Sequence, residues 1–320
     1  MAQTWQIGSS DYDEAIRQEG DYWGEEIEKA LLQGIPFSAD MRRAQRLFVD
    51  RGPGLPQQQV YDPVAERIMN GELYQSLFDR VAAISNCCRV LVLTCGPGGL
   101  ALELARQGHR VQAMDISERA IAVAERMARE NPFRENFGDL HYTVADLNRV
   151  ELPPNAYEAV VAWDGLHHIV ALDRLLRQVR HSLTPDGIFI FSDNVGLSWL
   201  SRLFGGALYF FLPTHVPYRT KLTYALGGQR KIKQEMTQRS PFEEVSSGQI
   251  MQTVERHFTI VQAKAHTGIG YRAAIAGDFK GPDRLKHPFL RRLKKLDDWF
   301  VQHRLLPADH VLAVAIAKSL

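Results

Sequence analysis

Hydrophobic and polar positions follow two different periods along this chain. Up to residue 88 the apolar positions recur every three or four residues, which is helical spacing. Tyr12 to Arg17 and Tyr22 to Gln33 follow it, and Gly34-Ile35-Pro36 predicts a stop. Ala39 to Asp50 follows it again, with arginines along one side. Gly52-Pro53-Gly54-Leu55-Pro56 and the glutamines after it predict a loop. Asp62-Pro63 predicts a new helix, with Asp as N-cap and Pro at the first helical position, and helical spacing continues from Tyr74 to Ile84.

From Val90 short apolar runs alternate with helical stretches. The predicted strands are Val90–Leu93, Arg110–Met114, Leu140–Val144, Ala159–Ala162 and Gly187–Phe191. Helices are predicted at Leu100–Gln107, Glu118–Asn131 and Leu172–Leu183, with Ser117 as an N-cap and Thr184-Pro185-Asp186-Gly187 as a turn. Such alternation calls for a parallel sheet. It stops after the fifth strand. Asn194 to Val245 is a long insertion, apolar and aromatic in its first half (GLSWLSRLFGGALYFFLP). Its second half carries Arg219, Lys221, Arg230, Lys231, Lys233 and Arg239 against Glu235. A helix (Ser247–Arg256), a strand (Phe258–Ala263), a long basic helix (Arg284–Arg304) and a last strand (His310–Ala317) follow.

Composition narrows the classes. The chain has 320 residues, 45% hydrophobic and 23% charged, with a formal net charge of +1. That is ordinary globular composition, and the near-neutral balance argues against a bulk nucleic-acid binder. Cys87, Cys88 and Cys95 match no zinc spacing, and their odd number speaks against a disulfide framework. They read as reduced thiols of a cytoplasmic protein, with no metal site expected. The acidic, polar N-terminus does not read as a secretory signal. The densest apolar stretch, Leu203 to Leu212, is too short to span a bilayer.

One stretch carries the chemistry: RVLVLTCGPGGLALELARQGHRVQAMD, from Arg89 to Asp115. It reads as a β-α-β unit with a glycine-rich first turn. Glycines let backbone N–H groups approach a ligand closely, because no Cβ intervenes. The following helix directs its positive end to the same place. The acid about 20 residues on is placed to accept from ribose hydroxyls. Together they predict an adenosine-containing ligand.

The order of four stretches then resembles the core of a class I S-adenosylmethionine-dependent methyltransferase of the small-molecule type. They are TCGPGG, MDIS, VADLN, and WDGLHHI followed by LTPDGIFIFSDN. The resemblance implies an α/β fold: a Rossmann-like, seven-stranded, mostly parallel sheet with flanking helices. Residues 1–88 would form a helical N-terminal cap and 89–193 the cofactor-binding core. Residues 194–247 would be a helical substrate-side insertion or lid, and 248–320 would complete the sheet with a long C-terminal helix. The resemblance implies S-adenosylmethionine as cofactor. Gly96 and Gly98 would pass its methionine and ribose parts, with Thr94, Cys95 and Ile116 on the same turns. Asp115 would hold the ribose hydroxyls. Asp146 would meet the adenine amino group, Leu147 would pack on the ring, and Trp163 would line the pocket. One departure stands out: many relatives carry an acid and a glycine where this chain has Val92 and Thr94. The N-terminal segment is one candidate to hold the methionine end instead.

Methyl transfer from a sulfonium needs alignment of the acceptor and exclusion of water, and an oxygen acceptor gains from a base. His167 and His168 follow the fourth strand and Asp193 ends the fifth, so both belong to one crevice. His167 and Asp193 are the expected base dyad; His168 is a second catalytic candidate, and the two adjacent histidines are not expected to face the pocket in the same way. Asp164 and His215 are weaker candidates. Trp23, Tyr61 and Tyr74 either cover the cofactor or pack in the core. Trp199, Phe204, Tyr209, Phe210 and Phe211 either form an acceptor pocket or pack on the sheet edge. Arg291, Arg292, Lys294 and Lys295 read as a solvated face, and no aromatic platform supports an RNA substrate. The expected activity is O-methylation of a small or medium-sized acceptor that is lipophilic, glycan-linked or a natural-product intermediate. The alternatives are a cofactor-binding subunit without turnover, and peripheral membrane contact through Leu197 to Leu212.

Overall fold

The computed structural model describes residues 5–32, 63–195, 203, 207, 210–211, 217–223, 238–266 and 282–318. Its elements are α1 (Ser10–Leu32), α2 (Pro63–Ala82), β1 (Arg89–Leu93), α3 (Gly99–Arg106), β2 (Arg110–Asp115), α4 (Glu118–Arg129), β3 (Leu140–Val144) and β4 (Tyr157–Trp163). They continue with α5 (Leu172–Ser182), β5 (Leu183–Asn194), α6 (Tyr218–Thr223), α7 (Ile250–His257), β6 (Phe258–His266), α8 (Asp283–Gln302) and β7 (His310–Ala317). The strands form one sheet in the order β3-β2-β1-β4-β5-β7-β6. Pairs from β3 to β5 are parallel, and β7 runs antiparallel to both β5 and β6. The expected seven-stranded, mostly parallel, Rossmann-like sheet is therefore present.

Helices cover both faces of the central strands, which is why those strands read as unbroken apolar runs. Leu91, Leu93, Val160, Ala162, Phe189 and Phe191 pack on one face. Val90, Val92, Ala159, Val161 and Ile190 pack on the other. The chain leaves β1 toward β2 and β3, then returns to lay β4 on the opposite side. That reversal opens a crevice at the carboxyl ends of β1 and β4, where such folds bind ligands.

Two local readings change. The two predicted N-terminal helices are one, α1, running through Gly20 and Gly24. A Cβ on Gly20 would sit 3.2 Å from the Ile116 carbonyl oxygen, and one on Gly24 would sit 2.7 Å from Ser117 Oγ. The glycines bring α1 close to the sheet end; they do not break the helix. The helix expected from Pro63 onward is present as α2, continuous from Pro63 to Ala82. Thr184 to Gly187 lie within β5: pairing passes from Tyr157↔Leu183 to Ala159↔Ile188, so the extra residues bulge out of a single strand. The readings on 39–56, on Tyr61 and Asp62, and on Trp199, Phe204, Tyr209 and His215 lie outside the described residues. Of the apolar half of the insertion, Leu203 and Phe211 are exposed. Among the described residues no helix is long and apolar enough to cross a membrane.

The far edge of the sheet carries a pH-sensitive group. His266 is buried at the end of β6, its ring 5.6 Å from that of His310 on β7. Burial, then the charges of Lys294 on α8 and Lys264 on β6, lower its pKa to about 3. The folded state refuses a proton that the unfolded chain accepts near pH 6.5. Stability is therefore unaffected above that pH and declines as pH falls from about 6.5 toward 3. Replacing His266 by Leu is expected to flatten that decline, read as urea midpoints at pH 7 and pH 5. An unchanged slope refutes it.

Candidate functional site

The glycine turn closes on backbone bonds. Cys95 N–H donates to the Met114 carbonyl (2.9 Å) and Gly98 N–H to the Cys95 carbonyl (3.0 Å). Thr94, Gly96 and Gly98 all have positive φ, at 49°, 51° and 78°. A Cβ on Gly96 would meet nothing within 4 Å, so this turn faces open space. A Cβ on Gly98 would lie 2.6 Å from Ala124 Cβ and from the Tyr142 hydroxyl. Only glycine fits there. Thr94 holds the left-handed backbone without being glycine; its Oγ1 donates to the Leu93 carbonyl at 2.7 Å. Gly165 gives that side chain room, since a Cβ there would stand 2.1 Å from Thr94 Oγ1. Val92 lies in the apolar core. Cys95 is buried, and burial pushes its thiol pKa well up, so it holds no thiolate.

Asp115 ends β2 beside this turn. Its Oδ2 accepts from Gly96 N–H (2.8 Å) and its Oδ1 from Ser117 N–H (2.9 Å). Burial raises its pKa, and these N–H groups oppose the shift. Each oxygen keeps a lone pair for a further donor such as a ribose hydroxyl. Ile116 follows, its carbonyl against Gly20 of α1. Asp146, after β3, accepts from the Tyr12 hydroxyl at 3.0 and 2.9 Å and from Asn148 N–H at 2.9 Å. Leu147 is buried. Trp163, at the end of β4, stacks on Tyr74 of α2 with ring centres 4.6 Å apart. Thr94, Gly96, Asp115, Ile116, Asp146 and Trp163 thus come from the carboxyl ends of β1, β2, β3 and β4, with α1 lying across them.

Beyond Trp163 a 3-10 turn, Leu166–His168, presents both histidines. His167 Nδ1 lies 2.6 Å from Asp193 Oδ1. Asp193 is fully buried and also accepts from Gly165 N–H (2.9 Å), Leu166 N–H (2.7 Å) and Asn194 N–H (2.7 Å). Burial alone pulls the His167 pKa down, but the Asp193 carboxylate outweighs it and lifts the value to about 9. His168 stays beside His167, with the two ring centres 4.1 Å apart. The reason is Glu19, a buried carboxylate of α1 whose Oε1 lies 2.9 Å from His168 Nδ1, close but out of line for a hydrogen bond. His168 Nε2 faces Glu243 Oε2 at 3.6 Å. Asp164, with φ 49°, stands 3.8 Å from His310 Nε2.

Glu19, Tyr12 and Glu243 were not among the residues the sequence singled out. Glu19 accepts from Trp23 Nε1 (2.8 Å), Ser240 Oγ (2.8 Å) and Phe242 N–H (3.1 Å). Burial opposes its charge, but His168 and these donors hold its pKa below the ordinary carboxylate value. The segment bearing Glu243 is pinned beside the histidines: Ser246 N–H donates to the His167 carbonyl (3.0 Å) and Ser246 Oγ to that of Ile169 (2.6 Å).

A glycine turn at the reversal of a parallel sheet, with an acid ending the neighbouring strand, defines a nucleoside-cofactor fold. Residues 90–187 match the methyltransferase domain family. An uncharacterized methyltransferase of Mycobacterium tuberculosis is 34% identical over 114 residues, covering 36% of this chain and 54% of that protein. A ubiquinone biosynthesis O-methyltransferase of Rickettsia conorii is 24% identical over 133 residues, covering 42% and 44%. The chain thus spans about half the length of the curated relatives it matches. In fold alone it is similar to the crystal structure of the cyclase SpnF, with a TM-score of 0.50 and 14% identity over 94% of this chain and 95% of that one. It is equally similar, at a TM-score of 0.50 and 12% identity, to a putative sarcosine dimethylglycine methyltransferase from Galdieria sulphuraria, covering 96% and 99%. Residues 90–187 thus carry a methyltransferase domain, and the fold and these similarities support a class I S-adenosylmethionine-dependent methyltransferase core with S-adenosylmethionine as its cofactor.

Proposed function

We propose that the protein transfers the methyl group of S-adenosylmethionine to a hydroxyl of a small or medium-sized acceptor. The observation that carries this reading is the convergence of two half-sites at one end of the sheet. Thr94 to Gly98, Asp115 and Asp146 form the cofactor half. Asp115 holds the ribose hydroxyls, and Asp146, fixed by Tyr12, faces the adenine edge. His167, His168, Glu19 and Glu243 form the acceptor half, with Asp193 fixing His167 by its Nδ1. The free edge of that imidazole then faces the acceptor, and α1 excludes water from both halves. The protein's task is alignment, because the sulfonium is already a good leaving group. Oxygen is the favoured acceptor atom because histidines and carboxylates are the groups that take or steer a hydroxyl proton. A ubiquinone biosynthesis O-methyltransferase among the relatives is consistent with this choice.

Titration with S-adenosylhomocysteine tests the cofactor half. The wild type is expected to bind, and Asp115→Asn to bind about tenfold or more weakly, as befits a lost charged acceptor. A wild type that binds neither S-adenosylmethionine nor its demethylated product overturns the reading. Methyl transfer from labelled S-adenosylmethionine to a panel of hydroxylated acceptors tests the other half. Cofactor binding without transfer to any of them favours a regulatory or assembly subunit that binds the cofactor without turnover.

A further inference from the structure

We propose that His167, His168 and Glu243 form a binding site for a divalent transition-metal ion at the acceptor end of the crevice. One donor atom from each of the three lies within 4.8 Å of the others. The His168 Nε2 to Glu243 Oε2 separation is 3.6 Å. Two ligands of one ion, each at about 2.1 Å, stand roughly 3.0–3.4 Å apart. Only a small closure separates the observed positions from that geometry.

The groups behind the three donors make the case stronger than proximity alone. His167 Nδ1 is held by Asp193, which leaves Nε2 as its outward atom. His168 Nδ1 abuts Glu19, and its Nε2 is the atom that faces Glu243. A carboxylate behind each ligating imidazole is the arrangement that fixes ring orientation and strengthens the donor at metal sites. The second observation is Glu243 Oε2, which is buried and makes no hydrogen bond. A buried carboxylate oxygen without a partner is costly. A cation between it and the imidazoles supplies that partner.

Two imidazoles and one carboxylate suit zinc, iron(II), cobalt(II) or manganese(II). Magnesium and calcium prefer sites made of oxygen alone. Three protein ligands leave coordination positions open for the acceptor. What the ion does there rests on the methyl-transfer reading. As an acceptor hydroxyl takes an open position, its proton leaves to bulk solvent before the crevice is closed to water and the methyl group is transferred. The acceptor oxygen forms the new O–CH3 bond while the sulfur–methyl bond breaks. Neutral S-adenosylhomocysteine and the methyl ether are the products.

Full-length protein freed of metal with a chelator is titrated with zinc chloride, and separately with cobalt(II) chloride while visible absorption is followed. The wild type is expected to bind zinc saturably and to give a cobalt d–d band. Glu243→Gln and His168→Ala are expected to lower the zinc affinity about tenfold or more. Thermal melts and S-adenosylhomocysteine titrations on the same samples show whether each variant keeps its fold. Where His168→Ala loses it, the shape-conserving Glu243→Gln decides. Absence of saturable zinc binding in the wild type, or variants that bind zinc as the wild type does, overturns the site. Zinc binding without S-adenosylhomocysteine binding sinks the methyltransferase reading and leaves the metal site standing.

Discussion

Replacing Asp193 by Asn is expected to lower the free energy of unfolding by about 2–4 kcal/mol and methyl transfer about a hundredfold or more. The reason is the division of work between the two oxygens. Oδ2 accepts from Gly165 N–H and Leu166 N–H; Oδ1 accepts from Asn194 N–H and meets His167 Nδ1. An amide can accept on one side only. If its NH2 replaces Oδ2, two backbone N–H groups face another donor and the turn that carries both histidines opens. If it replaces Oδ1, Asn194 N–H is orphaned and His167 must switch to the tautomer with a bare Nδ1. The second orientation leaves fewer orphans, so the fold survives at a cost and the imidazole is left wrongly protonated. Urea unfolding reads the first effect. Turnover and S-adenosylhomocysteine affinity, measured together, read the second. The affinity is expected to stay within about threefold of wild type, because none of these groups belongs to the cofactor half. A variant as stable and as active as wild type would remove Asp193 from its place at the centre of the site.

The reach of the sequence follows from how local each signal is. The glycine turn was legible because strand, turn, helix and acid lie within one short stretch. His167 and Asp193 were legible as a pair because parallel strands must end on the same side. The sheet order was legible only as far as the alternation ran. A run such as His310–Ala317 carries no direction, so nothing in it told that β7 inserts antiparallel between β5 and β6. Thr184 to Gly187 have turn chemistry, yet pairing on both sides of them overrides it and makes a bulge. Glu19 and Glu243 were illegible for a different reason. They meet His168 from segments far away in the chain, and Glu19 sits among Glu14, Glu25, Glu26 and Glu28 in a helix that looks solvated. One signal did exist. Tyr12, Ala15, Glu19 and Tyr22 fall on one helical face, and all four are buried. A carboxylate on an apolar stripe asks for a buried partner.

Glu19→Ala is accordingly expected to release α1 from the sheet end rather than to unfold the protein. The substitution leaves Trp23 Nε1, Ser240 Oγ and the Phe242 N–H without their shared acceptor, and His168 without the carboxylate beside it. If α1 stayed docked, those losses would cost about 3–5 kcal/mol, the usual effect of removing one member of a buried charged cluster. Undocking offers a cheaper way out. Helix α1 touches Ile116, Ser117, Arg119, Asp146 and Phe242 and packs Ile27 and Ala30 against Leu102, Ala120, Val123 and Met127, while the two apolar clusters on the faces of the sheet contain no α1 residue. A peripheral helix opens locally when its docking energy falls below the cost of staying in place. Once open, its peptide bonds become protease-accessible and Tyr12 no longer fixes Asp146. Limited proteolysis of Glu19→Ala is therefore expected to cut within residues 10–32 about tenfold faster than in wild type. The thermal midpoint of the core should hardly move, while affinity for S-adenosylhomocysteine falls. Glu19→Gln keeps the side-chain shape and one acceptor, so it should lie between the two. Global destabilisation with no faster cleavage of α1 would mean that the N-terminal helix is part of the folding unit. The site would then be closed permanently on the α1 side.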